Sequence, residues 1–112
     1  MLLTTVAHCW YFLQHESRRA PPERIVLSET AFAELALWQV PRPLAGSVHA
    51  FKYRLAYVVG GICVVRYDNE AGKGDHRHWS GKEFAYSFRS PDRLLADFQR
   101  DIARWNRENR HA

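Results

Sequence analysis

Residues 51–69, FKYRLAYVVGGICVVRYDN, carry the clearest secondary-structure signal in this chain. Two runs rich in β-branched and aromatic residues, 51–59 and 62–69, flank the dipeptide Gly60-Gly61. Two glycines between such runs are typical of the tight turn of an antiparallel β-hairpin, because that turn needs positive φ angles. The sequence therefore predicts two long paired strands.

The turn also predicts the register of this hairpin, because side chains alternate between the two faces of a strand. Uninterrupted pairing gives Val59–Ile62, Tyr57–Val64, Leu55–Arg66 and Tyr53–Asp68 on one face, and Val58–Cys63, Ala56–Val65, Arg54–Tyr67 and Lys52–Asn69 on the other. Such a hairpin is apolar near its turn and polar at its open end. The open end is a candidate site, although an ordinary sheet end that meets solvent has the same character.

The residues before the hairpin predict two further strands and a loop. Residues 24–27 are a short β-branched run. Residues 31–40 are ambiguous, because Ala, Glu and Leu favour a helix that Ser28 could cap. We predict a strand, since apolar Ala33, Leu35 and Leu37 alternate around Glu34 and the segment ends at Val40-Pro41. Residues 41–47, with two prolines and a glycine, are predicted to be a loop.

The residues after the hairpin predict a loop, a strand and a helix. Residues 70–81 contain three glycines and no periodicity, as expected of a loop. Apolar residues alternate with small ones over 84–88, which predicts a strand carrying Phe84, Tyr86 and Phe88. Ser90-Pro91-Asp92 is typical of a helix start, and an apolar stripe follows at helical spacing: Leu94, Leu95, Phe98, Ile102 and Trp105.

These elements predict an α+β fold, an antiparallel β-meander of four to five strands packed against a C-terminal α-helix. With 112 residues the chain is long enough for one core, which we assign to a single domain at 24–112. Residues 1–23 are predicted to be an N-terminal arm, because Pro21-Pro22 cannot continue a helix.

The distribution of charge, the number of cysteines and the N-terminal sequence limit which ligands, disulfides and cellular location we expect. The net charge is +4, and its excess lies in 51–90, where seven Lys and Arg stand against four acids. Such a region suits contact with a phosphate backbone, or is a mildly basic solvated face. Cys9 and Cys63 are too few for a disulfide framework. The apolar start has no basic flank or cleavage site and is too short to span a membrane, so we expect a cytoplasmic protein.

The segment 72–78, GKGDHRH, holds the residue types that acid–base chemistry on a phosphate needs. Histidine titrates near neutral pH, a neighbouring carboxylate can orient it, Lys and Arg supply fixed positive charge, and glycine lets the backbone approach a ligand. The predicted catalytic residues are His76, His78, Lys73, Arg77 and Asp75. The predicted substrate-binding residues, at the open end of the hairpin, are Arg54, Tyr67, Lys52, Tyr53 and Arg66.

This inventory suits metal-independent cleavage of RNA. One histidine would deprotonate the ribose 2′-hydroxyl, the other would protonate the leaving 5′-oxygen, and the cations would stabilise the charged phosphorane. Exposed tyrosines would stack on bases. The sequence leaves open which histidine is the acid and which is the base.

Other interpretations of the segment remain open at this point. His76-x-His78 is also a metal-binding pair, and Asp75 or His49 could complete a zinc site, although Lys73 and Arg77 would repel a dication. A glycine-rich loop with solvated charges has the same composition. A cysteine nucleophile is disfavoured, because Cys63 lies in an apolar strand.

Three runs in this region resemble the TumE family of toxin–antitoxin toxins: YRLAYV at 53–58, RYDN at 66–69 and GKGDHRH at 72–78. The similarity covers residues 24–104, and its most specific part is the block 67–78. The resemblance implies a toxin of a type II toxin–antitoxin pair, held inactive by a helix-turn-helix antitoxin. Ribonuclease activity is our inference from the residue inventory and from analogy with other small basic α+β toxins.

Two further function classes fit the sequence. One is a non-catalytic module that binds RNA or a protein through the basic sheet end. The other is a metal-dependent enzyme or a nucleotidyl-transferring toxin. For the ribonuclease we expect RNA as substrate and no cofactor, and the oligomeric state is open, with a homodimer as one possibility.

Overall fold

The computed structural model describes residues 23–109, so the predicted arm lies outside the described residues except for Glu23. The described part is one antiparallel sheet followed by a helix, which confirms the α+β class. The strands are β1 (Glu23–Val26), β2 (Ala31–Gln39), β3 (Phe51–Val59), β4 (Ile62–Glu70), β5 (Gly74–Trp79) and β6 (Lys82–Ala85), and the helix α1 is Pro91–Glu108. Each strand pairs with the next one along the chain, in the order β1-β2-β3-β4-β5-β6.

The predicted strands at 24–27 and 31–40 and the predicted hairpin are confirmed. The sheet has six strands, however, where four to five were predicted. The additional strand is β5, in the segment that was predicted to be a loop. Apart from Trp79 at its end, its side chains are polar on both faces, so the strand shows no alternation of hydropathy. Its glycines mark the ends of the strand, with positive φ at Gly72 and Gly81.

The strand predicted over 84–88 ends early, because β6 stops at Ala85. Beyond that point the chain leaves the sheet to make contacts on the helix side. The Tyr86 hydroxyl donates to Asp97 Oδ2 of α1 at 2.6 Å. Phe88 stacks on the ring of His49, with the ring centres 3.9 Å apart. Tyr86 thus contacts the helix and Phe88 packs on the loop before β3, whereas Phe84 remains in β6 and is 44% exposed.

The register predicted for the hairpin is right at the turn and wrong beyond it. Val59 pairs with Ile62 and Val58 with Cys63, as predicted. A β-bulge follows, because Tyr57 pairs with Val65 and leaves Val64 as an extra residue in β4. Every later pair is shifted by one, to Ala56–Arg66, Leu55–Tyr67 and Arg54–Asp68. The bulge therefore moves each later side chain of β4 to the face opposite to the predicted one.

The predicted helix start and apolar stripe are both confirmed. Ser90 caps α1 by accepting a hydrogen bond from the backbone N–H of Arg93 at 3.1 Å, and Pro91 occupies the first turn. Leu94 and Phe98 are buried against one face of the sheet, and the other members of the stripe pack around them. The core lies between this helix and the strands, and its largest fully buried side chains include Tyr53, Tyr67, Leu55 and Val65. Within 23–109, no helix is long and apolar enough to cross a membrane.

Candidate functional site

Alternation along β5 divides the predicted catalytic residues between the two faces of the sheet. Arg77 Nε donates to Asp101 Oδ2 of α1 at 2.7 Å, and Trp79 packs on the core beneath that helix. Because successive side chains of a strand point to opposite faces, His76 and His78 lie on the face away from α1. The two histidines are therefore separated from Asp75 and Arg77.

The face away from α1 carries two neighbouring rows of paired residues, which together we call the histidine face. One row crosses all six strands: Arg24, Glu34, Ala56, Arg66, His78 and Glu83. The next row consists of Ala36, Arg54, Asp68, His76 and Ala85. Four predicted site residues thus share one surface, together with three acidic residues that were not predicted as site residues: Glu34, Asp68 and Glu83.

The ring of His76 lies between two hydrogen-bond acceptors. Its Nδ1 is 2.7 Å from Glu83 Oε2, and its Nε2 is 2.7 Å from the backbone carbonyl oxygen of Lys73. A carboxylate and a carbonyl can only accept, so both ring nitrogens must donate for both bonds to form. This environment suits a ring that carries a proton on each nitrogen.

The ring of His78 lies beside a donor instead. Arg66 Nη2 donates to His78 Nε2 at 2.9 Å, because a guanidinium has no acceptor. Partial burial lowers the pKa of His78 below 6.5, and the positive charge of Arg66 lowers it further. His78 is thus held in the neutral form at neutral pH, with its ring proton on Nδ1 while Nε2 accepts.

Arg54 and Arg66 share one carboxylate on the histidine face. Arg54 Nη1 is 3.1 Å from Asp68 Oδ2, and Arg66 Nε is 3.4 Å from the same oxygen. The side chain of Arg54 is only 10% exposed. Its Nε and Nη2 are buried and find no hydrogen-bond partner within the described part of the chain. Buried N–H groups without an acceptor are unfavourable, so an anion that displaced the atoms covering them would supply the missing acceptor.

The two predicted lysines differ in position. Lys73 is well exposed at the β4–β5 turn, with its Nζ 3.6 Å from Glu70 and 3.9 Å from Glu83. Lys52 is buried, and its Nζ donates to the backbone carbonyl of Asn69. Lys73 therefore borders the histidine face, whereas Lys52 supports the sheet.

Asp75 does not make the predicted contact with His76 or His78. It accepts hydrogen bonds from Ser47 Oγ at 2.7 Å, His49 Nε2 at 2.7 Å and the Tyr53 hydroxyl at 2.6 Å. These partners tie the loop before β3 to the start of β5, where a Cβ on Gly74 would lie 2.8 Å from the carbonyl oxygen of Gly46. The close approach permitted by Gly74 is thus internal to the protein.

The two tyrosines predicted to contact RNA are fully buried, so the expected accessibility is wrong. The Tyr67 hydroxyl donates to Asp101 Oδ2 at 2.6 Å, and Arg77 Nε reaches both of these groups. Burial raises the pKa of the Tyr67 hydroxyl, and the bond to Asp101 raises it further. Burial likewise raises the pKa of Tyr53. Neither ring presents a free face on which a base could stack.

The family model described as Toxin TumE matches residues 12–106. The chain belongs to the TumE toxin family. The match contains both rows of the histidine face, and it begins within the segment predicted as an arm outside the similarity. No match was found among curated proteins or among solved structures.

Within residues 23–109, no three His, Cys, Asp or Glu side chains are grouped as a metal site would require. The set considered from the sequence is divided, since His49 and Asp75 lie on the helix side and His76 and His78 on the other. Cys63 is half-buried and unpaired, and burial raises the pKa of its thiol, which disfavours a thiolate nucleophile.

Glu83 is the main residue of the site that sequence reasoning missed. It pairs with His78 across the β5–β6 hairpin, whose turn is Ser80-Gly81. Both turn residues have positive φ, as a two-residue hairpin turn requires. If Ser80-Gly81 is taken as such a turn, the sequence alone pairs Glu83 with His78.

Proposed function

We propose that this chain is the toxin of a type II toxin–antitoxin pair and that it cleaves RNA at the histidine face without a metal ion. A cognate helix-turn-helix antitoxin would hold it inactive in the cytoplasm. Membership of a toxin family supports the toxin role, and the chemistry of the histidine face supports ribonuclease activity.

One observation carries the proposal: the two histidines have opposite hydrogen-bonding environments beside an arginine with unsatisfied buried donors. RNA cleavage by internal attack needs one group that accepts a proton and one that donates it. It also needs positive charge where the phosphorane develops. His76 has acceptors around it, His78 has a donor, and the guanidinium of Arg54 carries positive charge and two buried N–H groups without an acceptor.

The remaining predicted residues receive supporting roles in this proposal. Arg66 adds positive charge beside His78, and Lys73 adds it at the border of the site. Arg77, Tyr67 and Asp101 attach the helix to β5. Asp75 and Tyr53 fix the loop that precedes β3. These inward-facing residues would position the strand that carries the histidines rather than contact RNA.

The test is incubation of the purified full chain with labelled RNA in the presence of EDTA. We expect cleavage by the wild type, and a loss of about 10²–10⁴-fold in His76→Ala and in His78→Ala. Arg54→Gln should weaken RNA binding and reduce its salt slope by about 1. Arg42→Gln, which changes an exposed arginine of the loop before β3, should have no such effect on binding.

Full activity in both histidine variants, or complete loss of wild-type activity with EDTA, would contradict the proposal. The second candidate function is non-catalytic RNA binding, which the positive charges of Arg54 and Arg66 on the histidine face favour as strongly as catalysis. Salt-sensitive binding of RNA that the wild type leaves intact would support this second candidate.

A further inference from the structure

The carboxylate of Glu83 lies close to three basic groups of the histidine face. Its Oε2 is 2.7 Å from His76 Nδ1, 3.8 Å from His78 Nε2 and 3.9 Å from Lys73 Nζ. Only the contact with His76 has hydrogen-bond length. Glu83 is 43% exposed, so it is accessible to solvent and to a ligand.

The two histidines differ in the hydrogen-bond partners of their ring nitrogens. Glu83 and the carbonyl of Lys73 accept from the two nitrogens of His76. His78 Nε2 accepts from Arg66, which cannot accept a proton in return. The other charged groups around the rings do not alter this pattern: Asp68 pairs with His76 across the ladder, but its Oδ2 lies beside Arg54 and Arg66.

We infer that His76 is the general acid and His78 the general base of RNA cleavage, and that Glu83 is the positioning residue that keeps His76 in the donor state. The inference rests on the proposed function, because it divides the two proton transfers of that reaction between the two histidines.

His78 Nε2 takes the proton of the ribose 2′-hydroxyl, the 2′-oxygen forms a bond to phosphorus, and the bond from phosphorus to the 5′-oxygen breaks. His76 gives its Nε2 proton to the departing 5′-oxygen, so the products are a 2′,3′-cyclic phosphate and a 5′-hydroxyl. His76 keeps its Nδ1 proton, because a carboxylate is a stronger acceptor than the carbonyl of Lys73.

Arg66 links substrate binding to the base. In the free protein its Nη2 occupies the lone pair of His78 Nε2. A phosphate that binds the guanidinium would compete for this donor and free the lone pair for the 2′-hydroxyl. The low pKa that burial and Arg66 give His78 agrees with its role as base, since the ring is neutral when the substrate arrives.

The deciding experiment compares ordinary RNA with RNA in which sulfur replaces the bridging 5′-oxygen at the scissile phosphate. A thiolate leaves without protonation, because a thiol is far more acidic than an alcohol. We expect His76→Ala to lose about 10²–10⁴-fold on ordinary RNA and to recover most of this loss on the sulfur substrate. His78→Ala should lose activity on both substrates, because attack by the 2′-hydroxyl still needs a base.

Glu83→Gln tests the positioning role with a side chain of the same shape. It should lose activity on ordinary RNA and regain it on the sulfur substrate, as His76→Ala does. The matched control is Glu70→Gln, because Glu70 also lies near Lys73 but no ion pair joins it to a histidine within the described chain. This variant should behave as wild type on both substrates. His76→Asn and His78→Asn repeat the comparison with polar side chains in case the alanine variants do not fold.

Each outcome has a distinct meaning. Recovery of the His78 variants, or no recovery of the His76 and Glu83 variants, would overturn the inference while leaving the ribonuclease proposal intact. If the wild type cleaves neither substrate, both the proposed function and this inference fail.

Discussion

The pKa of His78 is the most direct test of the contact between His78 and Arg66. Burial and the charge of Arg66 lower the pKa of His78 below 6.5, so Arg66→Gln should raise it toward that ordinary value. NMR titration of the His78 ring protons measures the shift. Lys82→Gln removes a positive charge from exposed β6 and should leave the pKa of His78 nearly unchanged. An unchanged or lower value in Arg66→Gln would contradict the contact between the two side chains.

Individual residue types predicted part of the site. Histidine, arginine and lysine were selected for their chemistry, and four of them, His76, His78, Arg54 and Arg66, share one face. The inward positions of Asp75, Arg77, Tyr53 and Tyr67 were not predicted. They depend on which face of a strand each residue occupies, and composition carries no information about that.

Local sequence determined some secondary-structure elements of this chain and not others. Gly60-Gly61 predicted the β3–β4 turn, and the cap at Ser90 predicted the start of α1. The bulge at Val64 was not predicted, because an apolar residue within an apolar run gives no local signal that one strand contains an extra residue. Strand β5 was not predicted, because its polar residues face two different partners, a helix on one side and a charged surface on the other.

The backbone conformation of Ser80 in the β5–β6 turn affects the stability of the protein. Ser80 is the one non-glycine residue of the described chain with a positive φ, at 49°. Asparagine tolerates this conformation better than serine, so Ser80→Asn should stabilise the protein by up to about 1 kcal/mol. Thermal unfolding should show a higher Tm, whereas Ser87→Asn, at an exposed position with ordinary φ, should show little change. A lower Tm in Ser80→Asn would contradict the observed turn.

The buried side chain of Asp97 connects α1 to the segment that follows β6. Asp97 accepts from Tyr86 of the segment after β6 and from Arg93 and Arg100 of α1. Burial alone would raise its pKa, but these hydrogen bonds and charges outweigh burial and lower it below 3.8. Because the folded-state pKa is the lower one, Asp97 contributes stability above the ordinary value, and this contribution is lost as pH falls through the folded-state pKa.

The corresponding prediction concerns unfolding by acid. Asp97→Asn should lower stability near neutral pH and reduce the loss of stability on acidification below pH 3.8. Urea unfolding at a series of pH values measures both effects. Asp92→Asn changes the same charge at an exposed position in the first turn of α1 and should retain the wild-type pH dependence. An identical pH dependence in Asp97→Asn and wild type would contradict this role of Asp97.

The order of the strands has a consequence for how the chain folds as it is made. Every strand pairs with its immediate predecessor, and the longest connection between strands is residues 40–50. Contacts so local in sequence favour rapid folding, and each hairpin can form soon after its second strand leaves the ribosome. Helix α1 is the last described element to emerge, so until then the apolar face beneath it is uncovered. We expect chains released before residue 91 to aggregate rather than to accumulate as active toxin.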